Sequence, residues 1–157
     1  MSVPFHRHGW ELRFYPEFVK ALHRLEREVS AAREKHPESF HQRSAAKRLA
    51  AIHKLVFDVV PEDPTRPEYR LGGTLGGSHK HWFRAKFFQR YRLFFRYHAA
   101  SRVIIFCRVN DDDTKRAYES DDDAYRTFRR MIGKGNPPDD WDQLVALSRT
   151  FPGGGQD

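Results

Sequence analysis

The sequence predicts an α+β fold in which a small antiparallel sheet packs on an N-terminal helical hairpin, with additional helices at the C-terminal end. Two N-terminal segments repeat apolar residues at helical spacing, and three later segments alternate residue types as strands do. The 157 residues, 39% of them hydrophobic, are enough to bury one modest core. We expect a single domain over residues 1–150 and a disordered tail over residues 151–157.

The N-terminal part of the chain predicts one strand followed by two helices. Residues 10–14 alternate apolar and polar side chains, which is typical of a strand. Residues 17–35 carry an apolar stripe at helical spacing. A second helix follows the break at Pro37 and should end at Pro61, because proline lacks the backbone N–H that a helix needs. Its stripe consists of Ala45, Leu49, Ile52, Val56 and Val59. The short connection predicts an antiparallel helical pair.

The C-terminal part predicts three strands and two helices. A loop rich in proline and glycine spans residues 61–78. The strands are expected at about 81–87, 90–98 and 102–109. A helix should then run from near residue 121 to residue 131, where Gly133 and Gly135 end it. A short last helix begins near Pro138 and Asp139, and its apolar anchors are Trp141, Leu144 and Leu147.

Positive charge is concentrated in one segment of the sequence. The net charge is +7, and residues 79–98, HKHWFRAKFFQRYRLFFRYH, hold six Lys or Arg and no acid. Without these six charges the other 137 residues carry +1. The six are Lys80, Arg84, Lys86, Arg90, Arg92 and Arg96. A focused excess of this kind indicates a polyanionic partner.

Strand alternation predicts an apolar odd-numbered face and a cationic even-numbered face. The even positions are Trp82, Arg84, Lys86, Arg90, Arg92, Phe94, Arg96, Arg102 and Arg108. In the first hairpin, either Arg84 or Lys86 should lie opposite Arg92. A three-residue second turn would bring Arg108 near Arg92. Cations interleaved with aromatic rings favour a surface that binds phosphates and stacks unpaired bases. The alternative is a solvated outer face with its charges spread apart.

Several other classes of protein do not fit the sequence. Cys107 is the single cysteine, which excludes an internal disulfide and suits the cytoplasm. No apolar run approaches the length of a membrane span. His79 and His81 flank Lys80, but zinc would need further ligands at defined spacing. We therefore expect no metal, no cofactor and no membrane partner, and we expect Cys107 to be a core residue.

Long stretches of the sequence resemble the YhaV family of bacterial toxins. Residues 73–97 read GTLGGSHKHWFRAKFFQRYRLFFRY, followed by VND at 109–111 and TKRAY at 114–118. The segments AAI at 50–52, PEDP at 61–64 and PPDDW at 137–141 also fit. The resemblance covers roughly residues 10–148. It extends to the wider RelE-like superfamily, whose fold has a strand, two helices and a sheet with the active site on one face.

This resemblance implies a toxin of a type II toxin–antitoxin system that cleaves mRNA on the ribosome and is neutralised by a PrlF-type antitoxin. Operator DNA would be contacted only through the antitoxin complex. Arg92 corresponds to the arginine of the superfamily's RL segment, Arg84 and Lys86 to the basic positions after Trp82, and Tyr118 to the tyrosine after the last strand. The hairpin lacks an acid corresponding to the glutamate base of the YoeB-like branch.

Metal-free RNA cleavage requires a base, an acid and cations, and the resemblance suggests candidates for each. Arg84 and Arg92 would stabilise the transition state, Lys86 would act as base, and Tyr118 would act as acid or stack on a base. His79 and His81 are alternative bases. RNA contacts are expected from Lys80, His81, Trp82, Arg90, Arg96, Arg108, Lys115 and Arg116. A non-catalytic RNA- or ribosome-binding module, or a DNA-bound co-repressor, is the alternative function.

Overall fold

A computed structural model describes residues 4–71, 75, 79, 81–110 and 122–150, and the fold is α+β as predicted. Its sheet has five strands in the order β1-β2-β5-β4-β3. They are β1 (Phe5–Arg7), β2 (Trp10–Phe14), β3 (Phe83–Phe87), β4 (Tyr91–His98) and β5 (Val103–Val109). The alternation in residues 10–14 and the three later strands are confirmed. The short β1 was not predicted.

The sheet is mixed, which corrects the expected antiparallel arrangement. β2 pairs with β5 in parallel, with Glu11 opposite Val103 and Phe14 opposite Phe106. The other neighbours, β1–β2, β5–β4 and β4–β3, are antiparallel. Parallel pairing joins strands that are distant in sequence, so the alternation within each strand could not reveal it.

The helices are α1 (Pro16–Lys35), α2 (Ser44–Lys54), α3 (Val60–Glu62), α4 (Asp122–Gly133) and α5 (Trp141–Leu147). Pro16 begins α1, a position where its missing N–H costs nothing. α1 and α2 pack against each other, and the Arg48–Glu28 ion pair links them. None of the described helices combines the length and the apolar composition that a membrane crossing requires.

A wider helical turn follows α2 and changes which valine enters the core. Residues Leu55–Val59 form a π turn that joins α2 to α3. The extra residue rotates the following side chains around the helix axis. Val60 is therefore fully buried, whereas the predicted core residue Val59 is only partly buried. Pro61 lies inside the last turn of this segment rather than after it.

The first hydrophobic core lies between the sheet and the pair α1–α2. Phe14 stacks on Phe18 and Phe106, and Phe95 packs against Phe106. Its other fully buried members include Leu12, Val60, Leu93 and Ile104. Full burial of one such side chain contributes roughly 1.5–3 kcal/mol. This core confirms the predicted packing of sheet on helical hairpin.

The opposite face of the sheet holds a second hydrophobic core, covered by α4 and α5. Phe94 stacks on Phe128 at a centroid distance of 4.2 Å, and Trp82 meets Phe128 edge-on. The other buried members of the cluster are Tyr15, Leu71, Leu75, Ile105, Cys107, Tyr125, Ile132 and Leu144. The prediction of an open cationic face is therefore wrong. Cys107 is buried as expected.

The register between β4 and β5 reverses the expected faces of residues 103–107. His98 pairs with Val103, so the turn has four residues rather than three, and a bulge between Phe94 and Phe95 restores the expected faces at Arg108 and Val109. A one-residue slip moves every side chain to the other face. Arg108 lies opposite Phe94, not opposite Arg92 as a three-residue turn would place it.

The last helix is anchored differently from the prediction. The Asp140 side chain accepts a hydrogen bond from the Gln143 backbone at 3.0 Å and caps α5. Leu144 is fully buried, but Leu147 is 53% exposed and anchors nothing. The predicted tail, residues 151–157, lies outside the described residues.

Candidate functional site

Two arginines from neighbouring strands converge on one tyrosine of α4. Arg84 of β3 donates from Nε to the Tyr125 hydroxyl at 2.8 Å, and Arg92 of β4 does so at 3.1 Å. The Arg92 guanidinium also lies 5.8 Å from the centre of the Tyr125 ring. A phenolic oxygen has two lone pairs, so it can accept from both arginines. We call Arg84, Arg92 and Tyr125 the arginine pair site.

Arg92 is buried inside the protein, with only 1% of its surface exposed. Its Nη1 donates to the Gln89 carbonyl at 2.7 Å and to the Tyr91 carbonyl at 3.0 Å. The Arg92 backbone N–H donates to Asn110 Oδ1 at 2.7 Å. The expectation of an exposed Arg92 is wrong, because α4 covers this part of the sheet. In this arrangement the Arg92 guanidinium holds the β3–β4 turn through these hydrogen bonds and does not bind a ligand.

Arg84 is only partly buried and is fixed by three acceptors. Besides Tyr125, its Nη1 donates to the carbonyls of Glu68 at 2.8 Å and Arg70 at 3.1 Å. Nη2 of Arg84 has no hydrogen-bond partner among the described residues. Arg84 thus presents a rigidly held guanidinium at the edge strand β3.

Lys86 lies directly opposite Arg92 in the β3–β4 register, which confirms one of the two predicted pairings. Lys86 is exposed whereas Arg92 is buried. Lys86 and Arg92 are therefore not two exposed cations facing each other across the sheet. Arg90, in the turn between the strands, is also exposed.

A cleft of about 520 Å³ lies beside this turn. It is lined by Gln42, Ser44, Lys47, Arg48, Phe88, Arg90 and Tyr91. Phe88 is 54% exposed and adopts φ 49°, and Gln89 adopts φ 66°. A bulky residue with positive φ is strained, and such strain concentrates at functional sites. We call this feature the turn cleft.

Two histidines and an aspartate meet at the start of β3. His81 Nε2 lies 2.9 Å from Asp139 Oδ1, and His79 Nδ1 lies 3.2 Å from Asp139 Oδ2. Trp82 Nε1 also donates to Asp139 Oδ1 at 2.8 Å. Burial alone would raise the pKa of Asp139, but the bonds from Trp82 and His81 and the nearby histidines hold it below its ordinary value. We call His79, His81 and Asp139 the histidine cluster.

Arg96 is held beside this cluster by two tryptophans. Its guanidinium lies 5.3 Å from the ring centres of both Trp82 and Trp141, and Nη1 donates to the Asp139 carbonyl at 2.6 Å. Burial lowers the pKa of Arg96, although Cys107 and nearby aspartates oppose the shift. Trp82 has no exposed surface. The RNA contacts expected from Trp82 and Arg96 are therefore not supported, because both side chains are engaged within the protein.

The predicted site residues consequently divide into four groups. The arginine pair site joins Arg84 and Arg92, and the histidine cluster joins His81 with Trp82 and Arg96 nearby. Lys86 and Arg90 lie exposed on the hairpin, and Arg108 is partly buried on β5. The remaining predictions, Lys80, Lys115, Arg116 and Tyr118, lie outside the described residues.

Sequence reasoning missed Tyr125 and Asp139, the residues that organise the two groups. Tyr125 belongs to α4, which the sequence predicted only as a helix. Asp139 was interpreted as part of a helix start, a role that Asp140 fulfils. Neither residue carries a local signal, because its partners lie 33 to 60 positions away in sequence.

The molecule is thus a basic α+β domain with a fixed, partly exposed arginine and a cationic hairpin at one edge of its sheet. Residues 12–149 match the model of a family described as a toxin with endonuclease activity, of a toxin–antitoxin system. Over 147 residues the chain is 40% identical to Toxin YhaV of Escherichia coli O6:H1 and to Ribonuclease toxin YhaV of Escherichia coli (strain K12). Each alignment covers 92% of this chain and 96% of the relative. The chain belongs to the YhaV toxin family. No solved structure matches it.

Proposed function

We propose that this protein is the toxin of a type II toxin–antitoxin system and acts in the cytoplasm as an endoribonuclease on mRNA. The observation that carries the proposal is Arg84, whose guanidinium is fixed by Tyr125, Glu68 and Arg70 while Nη2 has no partner among the described residues. A cation fixed in advance stabilises developing charge without reorganising. Guanidinium also matches phosphate oxygens in geometry.

The proposed reaction is an internal transesterification. The 2′-oxygen forms a bond to phosphorus, the bond from phosphorus to the 5′-oxygen breaks, and a 2′,3′-cyclic phosphate results. A base removes the proton from the 2′-hydroxyl, and an acid gives a proton to the departing 5′-oxygen. Arg84 stabilises the charge on the phosphoryl oxygens. Lys86, which is exposed on the same strand, is the candidate base, and Tyr118 is the candidate acid.

Arg92 supports this chemistry indirectly in the proposal. It shares the Tyr125 hydroxyl with Arg84 and holds the hairpin turn through the Gln89 and Tyr91 carbonyls. It is therefore a positioning residue. No step of this scheme uses a metal, so we infer that cleavage is metal-independent.

RNA is proposed to approach along the edge strand β3. Lys86 and Arg90 are exposed there, and together with Lys80, Lys115 and Arg116 they would neutralise phosphates. Edge strands offer access that central strands lack. We further infer a RelE-like arrangement, since β2, α1 and α2 precede the antiparallel β3–β4–β5 unit. We also infer cleavage on translating ribosomes.

The antitoxin is proposed to be an acidic, PrlF-type protein that inserts a segment into the turn cleft. Lys47 and Arg90 supply positive charge there, and Phe88 supplies an exposed aromatic ring. Charge complementarity gives fast association, and a buried aromatic anchor gives affinity. An antitoxin seated there would also cover the approach to β3.

The test is cleavage of mRNA on translating ribosomes by purified toxin, with chemical analysis of the new ends. Fragments ending in a 2′,3′-cyclic phosphate are expected, and Arg84→Gln should lower the rate by roughly 10²-fold or more. Arg33→Gln, which removes an exposed charge at the end of α1, is the matched control and should cleave normally. Intact RNA that stays tightly bound would instead support the non-catalytic binding module.

A further inference from the structure

We propose that His79, His81 and Asp139 form a zinc-binding site that is separate from the cleavage chemistry. The three residues each offer one ligand atom, and these atoms lie within 4.8 Å of one another. Imidazole nitrogen and carboxylate oxygen are ligands that zinc accepts, and two imidazoles disfavour magnesium and calcium. Three protein ligands would leave a fourth position for water.

The Asp139 carboxylate already lies at about one ligand spacing from each histidine, through a different oxygen in each case. Asp139 Oδ1 lies 2.9 Å from His81 Nε2, and Asp139 Oδ2 lies 3.2 Å from His79 Nδ1. Neighbouring ligands on a tetrahedral zinc ion, with bonds of about 2.0–2.1 Å, are about 3.3 Å apart. Small rotations of side chains that are 18–39% exposed would suffice to receive the ion.

One ligand atom lacks a satisfactory partner without the ion. Nδ1 of His79 is buried, yet it makes no hydrogen bond of good geometry to any residue in the described ranges. Buried polar atoms in folded proteins are nearly always bonded. Coordination through Nδ1 would satisfy this atom.

The carboxylate that would bridge the two histidines is held in place by neighbouring residues. Trp82 donates to Asp139 Oδ1, and Arg96 holds the Asp139 carbonyl at 2.6 Å. Such supporting bonds orient metal ligands and raise affinity. His81, which the sequence suggested as an RNA contact, is assigned here to the ion.

The ion would join two segments that are distant in sequence. His79 and His81 precede β3, whereas Asp139 lies just before α5, which covers the second core. Zinc bound to the folded state alone would stabilise it in proportion to the logarithm of its concentration. The predicted effect is structural, so cleavage by zinc-free toxin should persist.

The test is zinc binding to the purified full-length chain, measured by competition with a chromophoric chelator. One equivalent is expected, with affinity reduced at least tenfold in His79→Ala and in His81→Ala. His8→Ala is the matched control, because His8 pairs with Asp58 at 3.1 Å and that pair does not belong to the cluster. Absence of stoichiometric uptake, or equal binding by all four proteins, would overturn the proposal.

A second measurement keeps the proposal testable should the variants fold poorly. Cobalt(II) added to the unaltered chain should give the intense visible absorption of a four-coordinate ion, and zinc should displace it. Weak absorption typical of six-coordinate cobalt would contradict the site. Cleavage is assayed separately on chelated toxin, so failure of zinc binding and failure of the proposed nuclease activity are distinguishable.

Discussion

Arg84 and Arg92 donate to the same oxygen, the hydroxyl of Tyr125, from 2.8 Å and 3.1 Å. This shared acceptor connects a partly exposed guanidinium with one that is 1% exposed. A change in the buried residue can therefore alter the geometry of the accessible one. Substitutions at Tyr125, Arg92 and Lys86 separate the effects on stability and on cleavage.

Tyr125→Phe should weaken both the fold and the activity. It removes the shared acceptor and leaves the buried Arg92 Nε without this partner, which costs roughly 1–3 kcal/mol of the free energy of unfolding. Arg84 would also lose one of its three fixed contacts, so the cleavage rate should fall. Urea unfolding and single-turnover cleavage measure the two effects. Tyr97→Phe is the control, because the Tyr97 ring stacks on Phe83 and should leave both values unchanged.

Arg92→Gln should mainly lower stability and Lys86→Gln should mainly lower the cleavage rate, although the two residues are register partners. Arg92→Gln loses hydrogen bonds to Gln89, Tyr91 and Tyr125 in a buried setting and should lower stability by about 3 kcal/mol. Lys86→Gln changes an exposed side chain and should stay within about 0.5 kcal/mol. If Lys86 is the base, its variant should cleave roughly 10²-fold more slowly. Equal stability losses would contradict the observed burial.

Phe88→Gly should stabilise the toxin while weakening its antitoxin complex. Glycine accepts the positive φ of 49° without strain, so the free energy of unfolding should rise by roughly 0.5–1 kcal/mol. Loss of the aromatic ring from the turn cleft should raise the dissociation constant tenfold or more. Leu147→Ala, which truncates a similarly exposed residue at 53%, should bind normally. Calorimetric titration with the antitoxin would decide, and unchanged affinity of Phe88→Gly would place the antitoxin elsewhere.

Stability should fall at alkaline pH because of Cys107. Burial raises the pKa of its thiol far above the ordinary value of 9.0, an effect that Arg96 only partly offsets. The folded state keeps the proton that the unfolded state releases, so stability is lost as pH rises above about 9, by about 1.4 kcal/mol per pH unit. Cys107→Ala should be less stable at neutral pH but should show a flatter decline. Burial also raises the pKa values of Tyr15 and Tyr69. The unaltered chain and Cys107→Ala share these two tyrosines, so the difference between their pH dependences of stability is due to Cys107.

The sequence predicted the local elements well because each depends on a local pattern. The stripe of α1 and the strands around Lys86, Tyr91 and Val103 follow spacing that nearby residues determine. The faces of β5 could not be predicted, because a four-residue turn and a bulge at Phe94 shift the alternation without any compositional signal.

The candidate site was predicted in part. Arg84 was identified by its charge and its position in a strand, and the structure fixes it at the sheet edge. Arg92 and Trp82 were expected on an open surface, yet α4 and α5 cover them. Charge alone does not show which helix will pack over a face. Tyr125 and Asp139 were missed because their importance arises from contacts between segments that are distant in sequence.

The parallel pairing of β2 with β5 affects how the chain folds during its synthesis on the ribosome. Leu12 pairs with Ile104 in the sheet, so the sheet cannot close until β5, which ends at Val109 of the 157 residues, has left the ribosome exit tunnel. Non-local pairings of this kind also form slowly. A nascent chain therefore stays incompletely folded until β5 has emerged, and with the proposed nuclease function this delay would postpone RNA cleavage and give the antitoxin time to bind.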